Sequence, residues 1–279
     1  MARNFAEAVP LPAKEQHSIT FVYKTRLPQT CQSVMVTWSK DLADHSLCIS
    51  VENSSQQNAY NCKIDSIFKQ SWGKKGLKTL EIQGNRVDIF WDFRHAKFTS
   101  YPRPRSDYYV ILVHRKETLL FLGDLEKEAY ERTRSRPCSE EAVLLYKKEI
   151  VYGKKMFCTK AMIEEGKTEH DIVIETSLSG PEDPEMWVSI DGIVATRIMN
   201  LNWRFRGNET VIVNNLPVHI LWDVHDWLFN GSGHGLFIFK PGSLESAEDD
   251  SDSGDRDCCP EDSPTSEGCC HFLYAWNTN

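Results

Sequence analysis

Val218-His219-Ile220-Leu221-Trp222-Asp223 repeats, at a shift of 131 residues, the stretch Val87-Asp88-Ile89-Phe90-Trp91-Asp92. The same shift lays Thr210 on Thr79, Gly207 on Gly76 and Trp203 on Trp72. Both stretches alternate with period two, as a half-buried strand does. The repeat predicts an internal duplication, two similar β units in tandem within 279 residues.

Working outward, the same alternation recurs at Ile19-Phe21-Tyr23, Val34-Val36-Trp38, Leu47-Ile49-Val51 and Tyr60-Cys62-Ile64. Leu80-Ile82 and Val87-Ile89-Trp91 flank a short turn at Gln83-Gly84-Asn85, and Tyr109-Ile111-Val113 and Leu119 to Leu122 flank another at Arg115-Lys116. Eight strands joined by short turns make a meander that closes as a sandwich or a small barrel. Leu125 to Thr133 is rich in helix formers, with Asp124 placed as its N-cap and Arg136-Pro137 as its stop, so one short helix links the units. The second unit restarts at Ala142 to Tyr152 and runs through Met156-Cys158, Ile172-Ile174, Trp187-Ser189, Ile198, Val211-Val213, Val218-Trp222 and Gly235 to Phe239. Its missing strand is expected at His271 to Trp276, where it pairs with the Gly235 to Phe239 strand across an acidic insertion. The expected organisation is an arm over 1–16, a first β unit over 17–123, a helical linker over 124–141, a second β unit over 142–242, a disordered acidic loop over 243–269 and a terminal strand over 270–279.

The formal charge of −8 is concentrated in one place, because Glu245 to Gly268 carries ten acidic residues against the single Arg256. The rest is close to neutral, so bulk charge implies no nucleic acid partner. No stretch approaches the roughly 20 apolar residues of a spanning helix, and the N-terminus lacks the apolar core of a signal peptide. These features predict an intracellular protein, cytoplasmic or nuclear or both. Of nine cysteines, Cys31, Cys48, Cys62, Cys138 and Cys158 lie singly, without disulfide or zinc spacing, and are expected as reduced thiols.

Ser33 to Lys40, Leu144 to Glu149, Asp183 to Gly192, His234 to Gly242 and Phe272 to Trp276 resemble the plant family called domain of unknown function 868. The resemblance runs from about residue 17 to the end apart from the acidic insertion. It implies a plant protein and implies no activity and no site residues.

Several side-chain groups are candidates for chemistry. On the repeated strand, Val218, Ile220 and Trp222 share one face, and His219, Leu221, Asp223 and His225 share the other. His219 and Asp223 lie roughly 13 Å apart along the strand and cannot share one ion. Asp223, His225, Asp226 and His234 remain a candidate metal set, weighed against a solvated polar face. The first unit has Asp92 where the second has Asp223, and an aspartate at a strand end commonly accepts hydrogen bonds from the turn that follows. Trp91, Trp222, Trp72 and Trp203 are expected in the core. The loops after these strands differ more than the strands do, and loops on a rigid β scaffold are where recognition lies. Lys97, Tyr101, Arg103 and Arg105, together with Trp227 of the second loop, are candidate contacts for a ligand or partner. With Arg132, Arg134 and Arg136, the basic residues suit an anionic ligand or an acidic protein segment. Cys258-Cys259 and Cys269-Cys270 lack the two-residue gaps of a zinc site; Cys269 or Cys270 beside an aromatic strand is a candidate for lipidation, and Ser246 for phosphorylation.

There is no phosphate loop, no nucleophile elbow and no helical His-x-x-x-His. The sequence therefore predicts an all-β protein acting as a non-catalytic binding or interaction module, with no cofactor implied and a protein or an anionic ligand as partner. Two rivals stand beside this reading. One is a hydrolase using Asp92, Asp223 and Asp226, or a metal held by the second-unit set; the other is a barrel holding a small apolar ligand.

Overall fold

The computed structural model of the protein describes residues 16–27, 30–42, 44–53, 56–64, 74–137, 142–163, 169–178, 183–230, 233–242 and 269–278. Nearly all of the expected arm and of the acidic loop, with Trp72, Cys138, Ser246, Cys258 and Cys259, lie outside these residues.

The first eight strands are β1 (His17–Leu27), β2 (Thr30–Lys40), β3 (His45–Asn53), β4 (Gln56–Ile64), β5 (Lys75–Ile82), β6 (Asn85–Asp92), β7 (Tyr109–His114) and β8 (Glu117–Gly123). Helix α1 (Glu126–Thr133) leads to β9 (Val143–Gly153), β10 (Met156–Met162), β11 (Glu169–Ser177), β12 (Glu185–Ile190), β13 (Ile193–Ile198), β14 (Arg206–Val213) and β15 (Leu216–Asp223). A second helix, α2 (His225–Phe229), precedes β16 (His234–Pro241) and β17 (Cys270–Asn277). The protein is all-β.

These strands build three sheets. A nine-stranded sheet has the order β14-β15-β16-β17-β9-β1-β2-β3-β4, and four-stranded sheets are formed by β5 to β8 and by β10 to β13. Among the described residues all three have open edges and none closes into a barrel, so of the two closures expected from the meander the sandwich is the one formed. Every pairing is antiparallel except β17 with β9, which run parallel. The terminal strand also pairs antiparallel with β16, setting Phe237 opposite Leu273.

Residues directly opposite one another on paired strands share a face. Ile19 and Phe21 of β1 stand opposite Glu149 and Lys147 of β9, and on the other side Leu273 and Ala275 of β17 stand opposite Glu149 and Val151. Ile19 and Phe21 belong to a core closed by Leu80, Ile82, Val87 and Ile89 of the first small sheet. Leu273, Ala275 and Val151 belong to a core closed by Phe157, Ile172 and Ile174 of the second. Both small sheets therefore cover the same face of the nine-stranded sheet, side by side, and β9 carries Lys147 and Glu149 along the seam between them. Burying an aliphatic side chain such as Ile19 or Leu273 contributes on the order of 2 kcal/mol, so the two cores supply most of the stabilisation.

Several contacts occur once in each half at the shift of 131 residues. Gly76 pairs with Trp91 and Gly207 with Trp222, and in both a side-chain carbon on the glycine would overlap the indole ring. Lys75 is 3.3 Å from the Asp92 carboxylate, and Arg206 is 2.6 Å from that of Asp223. Thr79 donates to Asp88 at 2.6 Å, while Thr210 is 2.8 Å from Nδ1 of His219.

Three local features differ from expectation. Asp124 is not the N-cap of α1; that position is Leu125, without a side-chain hydrogen bond. The Asp124 carboxylate instead accepts the backbone N–H groups of Asp107 at 3.0 Å and Tyr108 at 3.1 Å, two donors left free where the β6–β7 loop turns into β7. The loop that carries Trp227 opens with α2, because Asp223 Oδ1 accepts the N–H of His225 at 3.1 Å and Trp227 anchors the turn in the second core. Trp203, expected in the core, is 88% exposed on the connection before β14.

Candidate ligand-binding site

Glu149 is fully buried, yet five donors converge on it. His17 of β1 is 2.8 Å from Oε1, and Oε2 accepts from the hydroxyl of Thr159 of β10 at 2.5 Å and from that of Tyr101 at 3.2 Å. Lys147 Nζ lies 3.1 Å from Oε2, and Nε2 of His271 of β17 lies 3.3 Å from it. The ammonium of Lys147 also donates to the Tyr101 hydroxyl at 2.8 Å and to the backbone carbonyl of Lys160. Donors thus arrive from β1, β9, β10, β17 and the β6–β7 loop, tying both small sheets to the shared one.

The electrostatics follow from this geometry. Burial disfavours a charged Glu149, but the Lys147 charge and the hydrogen bonds from His17 and His271 outweigh it and hold the carboxyl well below the usual carboxylate range. Burial, reinforced by the Lys147 charge, pushes His271 down to about 4 against the pull of Glu149. Its imidazole is then neutral at pH 7, donates Nε2–H to the carboxylate, and leaves Nδ1 as a buried acceptor without a partner among the described residues. Burial and the neighbouring Glu149 hold the Tyr101 phenol well above its ordinary value.

Over this cluster lies a cleft of about 490 Å³, lined by Thr99, Tyr101, Arg103, Arg105, Lys160 and Glu169. That volume falls within the range of small-molecule sites. Arg103 is held by Glu169 of β11 at 3.0 Å through Nη2 and by the ring of Phe21, 5.3 Å below its guanidinium carbon. Lys160 pairs with Asp171. One wall comes from the β6–β7 loop and the other from β10 and β11.

Of the residues singled out in the sequence, the structure gathers Tyr101, Arg103 and Arg105 here. Lys97 sits outside the lining, bound to Asp107 at 2.9 Å where the loop closes on itself through Lys97 and Ser106. Trp227 is not a surface contact. It is buried, stacks on Phe157 at 5.0 Å and donates its indole N–H to the Ala275 carbonyl at 3.0 Å, because α2 turns it inward. Arg132 is committed to the carbonyls of Trp91 and Gly76 and to the Tyr109 hydroxyl, fastening α1 to its sheet.

The four candidate metal ligands are not assembled as a set. Asp223 is bound to Arg206, Asp226 accepts from Asn230 at 2.7 Å and lies 3.3 Å from His225, and His234 is packed against Tyr274 and Trp276. Among the described residues no group of three His, Cys, Asp or Glu side chains is placed to hold an ion. Asp92 is bound to its own cations, Lys75 and Arg94, in a different sheet from Asp223. The described cysteines Cys48, Cys62, Cys158, Cys269 and Cys270 are free thiols.

Lys147, Glu149, Thr159, His17 and His271 were not singled out in the sequence. On β9 beyond the register shift that follows Leu144, the apolar residues Tyr146, Ile150 and Tyr152 occupy the even positions, so alternation assigns them to the core and Lys147 and Glu149 to solvent. The structure inverts that assignment. The only signal was a Lys-x-Glu pair in phase with the buried Val151.

Sequence comparison with known families matches residues 14–277 to the family described as plant protein of unknown function, DUF868. The chain belongs to this family. No curated protein and no solved structure matches it. The match spans both cores and every seam residue, so in this DUF868 protein the cleft lies inside the family's own domain. No helix of the described residues is long and apolar enough to cross a membrane.

Proposed function

We propose that this DUF868 protein is a non-catalytic binding module that takes a small anionic ligand in the seam cleft, with Tyr101, Arg103 and Arg105 as contacts. The observation that carries this reading is Arg103. Its guanidinium is fixed from two sides, by Glu169 and Phe21, yet only Nη2 is hydrogen-bonded among the described residues, leaving a pre-oriented fork for a carboxylate or phosphate. Arg105 adds positive charge along the same wall.

The titration of the buried cluster favours binding over catalysis. A general acid or base works best when poised near neutrality. Glu149 is held below the carboxylate range, Tyr101 above the phenol range, and His271 at about 4, so all three move away from it. The rival hydrolase centred on Asp223, His225, Asp226 and His234 lacks a convergent arrangement to support it.

The contacts repeated at Gly76 and Gly207, Lys75 and Arg206, and Thr79 and Thr210 support an internal duplication of an eight-stranded unit. On that reading β1 to β4 correspond to β10 to β13, β5 to β8 correspond to β14 to β17, and β9 is an added strand that joins the copies and supplies the polar seam.

Thermal melting with citrate and with phenyl phosphate tests the reading. A saturable rise in melting temperature with at least one of these anions is expected for the wild-type protein, with at least a tenfold loss of apparent affinity in Arg103→Ala, each protein read against its own ligand-free melting temperature. An equal response in Arg103→Ala contradicts it.

A further inference from the structure

The face of the nine-stranded sheet turned away from both cores changes character part-way across. Residues opposite one another on paired strands share a face, so rows can be followed from strand to strand. One row reads Leu236, Tyr274 and Ile150, then Ser18, Ser39 and Ser46. The next reads Leu221, Ile238, Phe272 and Lys148, then Thr20, Thr37 and Cys48. In both, the change falls between β9 and β1. From β1 to β3 the face carries small, mostly hydroxylated side chains, as a solvated sheet face does. On β16, β17 and β9 it carries aliphatic and aromatic ones. Trp276 and Tyr152 add a third row, with rings 6.5 Å apart and within 21° of parallel. The one charge on β9 within this block, that of Lys148, lies 4.9 Å over the ring of Tyr274. A contiguous apolar block on an uncovered face marks a contact surface.

The sequence narrows what can cover it. Strands β16, β17 and β9 are each paired on both sides, so an occupant is held through side chains and not by extending the sheet. The acidic segment 243–268 has Leu244 as its one large apolar residue. The segment 65–73 holds Ile67, Phe68 and Trp72, but it joins β4 to β5 at the far edge of the sheet. The segment 1–15 carries Phe5, Val9 and Leu11 with Pro10 and Pro12, and it enters the sheet beside the block, because Ser18 stands opposite Ile150. From β1 to β17 is two strand spacings, about 10 Å. The six residues from Leu11 to His17 span up to about 20 Å, so Leu11 reaches β17. Val9-Pro10-Leu11-Pro12 favours the polyproline II conformation, which needs no ladder partner and lays its apolar side chains on aromatic surfaces.

We propose that this apolar block is the docking surface for the chain's own N-terminal segment, with Val9, Pro10, Leu11 and Pro12 lying across Tyr152, Tyr274 and Trp276. Docking there takes apolar surface of both partners out of water. The surface lies on the opposite face of the sheet from the seam cleft and does not depend on a ligand there.

The test uses the full chain with p-benzoylphenylalanine in place of Leu11, irradiated at low protein concentration and digested for mass spectrometry. Adducts within one chain to β17, or to Tyr152 of β9, are expected. Deleting residues 2–15 is expected to shift tryptophan emission to the red by uncovering Trp276. The same deletion in a Trp276→Phe background is expected to leave the emission where Trp276→Phe alone has it, which separates uncovering of this indole from general unfolding. The proposal is overturned by adducts elsewhere in the chain or by none. Adducts that join two chains overturn it too, since the occupant is then a second copy. So does a deletion that leaves the emission unchanged, or one that shifts it equally in Trp276→Phe.

Discussion

Lys147 and Glu149 are held 3.1 Å apart on the inward face of one strand, where two hydrophobic cores meet over a shared sheet. An ion pair in that position must have every donor and acceptor satisfied, since either charge alone would be left in a low-dielectric interior. Tyr101, Thr159, His17 and His271 provide that satisfaction.

Removing one member of the pair leaves the other uncompensated. Glu149→Ala is expected to lower unfolding free energy by about 3–5 kcal/mol in urea titration. Replacing both, as Lys147→Met/Glu149→Leu, is expected to cost less than the sum of the single changes, because the unpaired charge disappears. Additivity within about 0.5 kcal/mol would show that the two side chains act independently.

The same cluster sets an acid limit. His271 falls from its ordinary 6.5 to about 4 in the folded protein, so between these values the unfolded chain binds more protons and stability declines as pH falls. Glu149, whose folded value is depressed, contributes stability above its ordinary 4.5 that is lost as pH drops towards the folded value. Burial lowers His45 and His234 as well, with the same sign, so the diagnostic quantity is a difference. Unfolding free energies of wild type and His271→Gln, compared from pH 7 to pH 4, should converge as pH falls; parallel curves would remove His271 from the account.

Gly76 and Gly207 each lie against the indole of the residue paired with them. Gly76→Ala and Gly207→Ala each drive a methyl group into the facing indole, of Trp91 and Trp222 respectively. Each substitution is expected to destabilise by about 1–3 kcal/mol through overpacking, and to similar degree. A loss at one site with none at the other, measured by chemical denaturation, would contradict the shared geometry.

The C-terminal strand belongs to the interior. Deleting Phe272 to Asn279 removes Leu273 and Ala275 from the second core, takes the Ala275 carbonyl from Trp227 and opens both β9 and β16. Loss of cooperative unfolding by circular dichroism is expected; an unchanged transition would mean the strand is dispensable.

How far the sequence could be read follows from which signals are local. The β class was legible because alternation at Ile19 to Tyr23, Val34 to Trp38 and Val218 to Trp222 is written in adjacent residues, and the Gln83-Gly84 turn carries its own conformational preference. Tyr101, Arg103 and Arg105 were legible as a loop rich in charge and aromatic surface. The buried seam was not. Its members come from five separate segments, and β9 shows Tyr146, Ile150 and Tyr152 on the face that ends up outside. Trp227 was misplaced for a related reason: a five-residue helix too short to show a period turned it inward.

The proposed ligand site lies in the cleft between Arg103 and Lys160. Native mass spectrometry of the protein purified from plant tissue, compared with its denatured mass, tests it most directly. A discrete excess that disappears on denaturation, and that is absent from Arg103→Ala purified in the same way, is the predicted result. Identical native and denatured masses for the wild-type protein, or the same excess in Arg103→Ala, would contradict it.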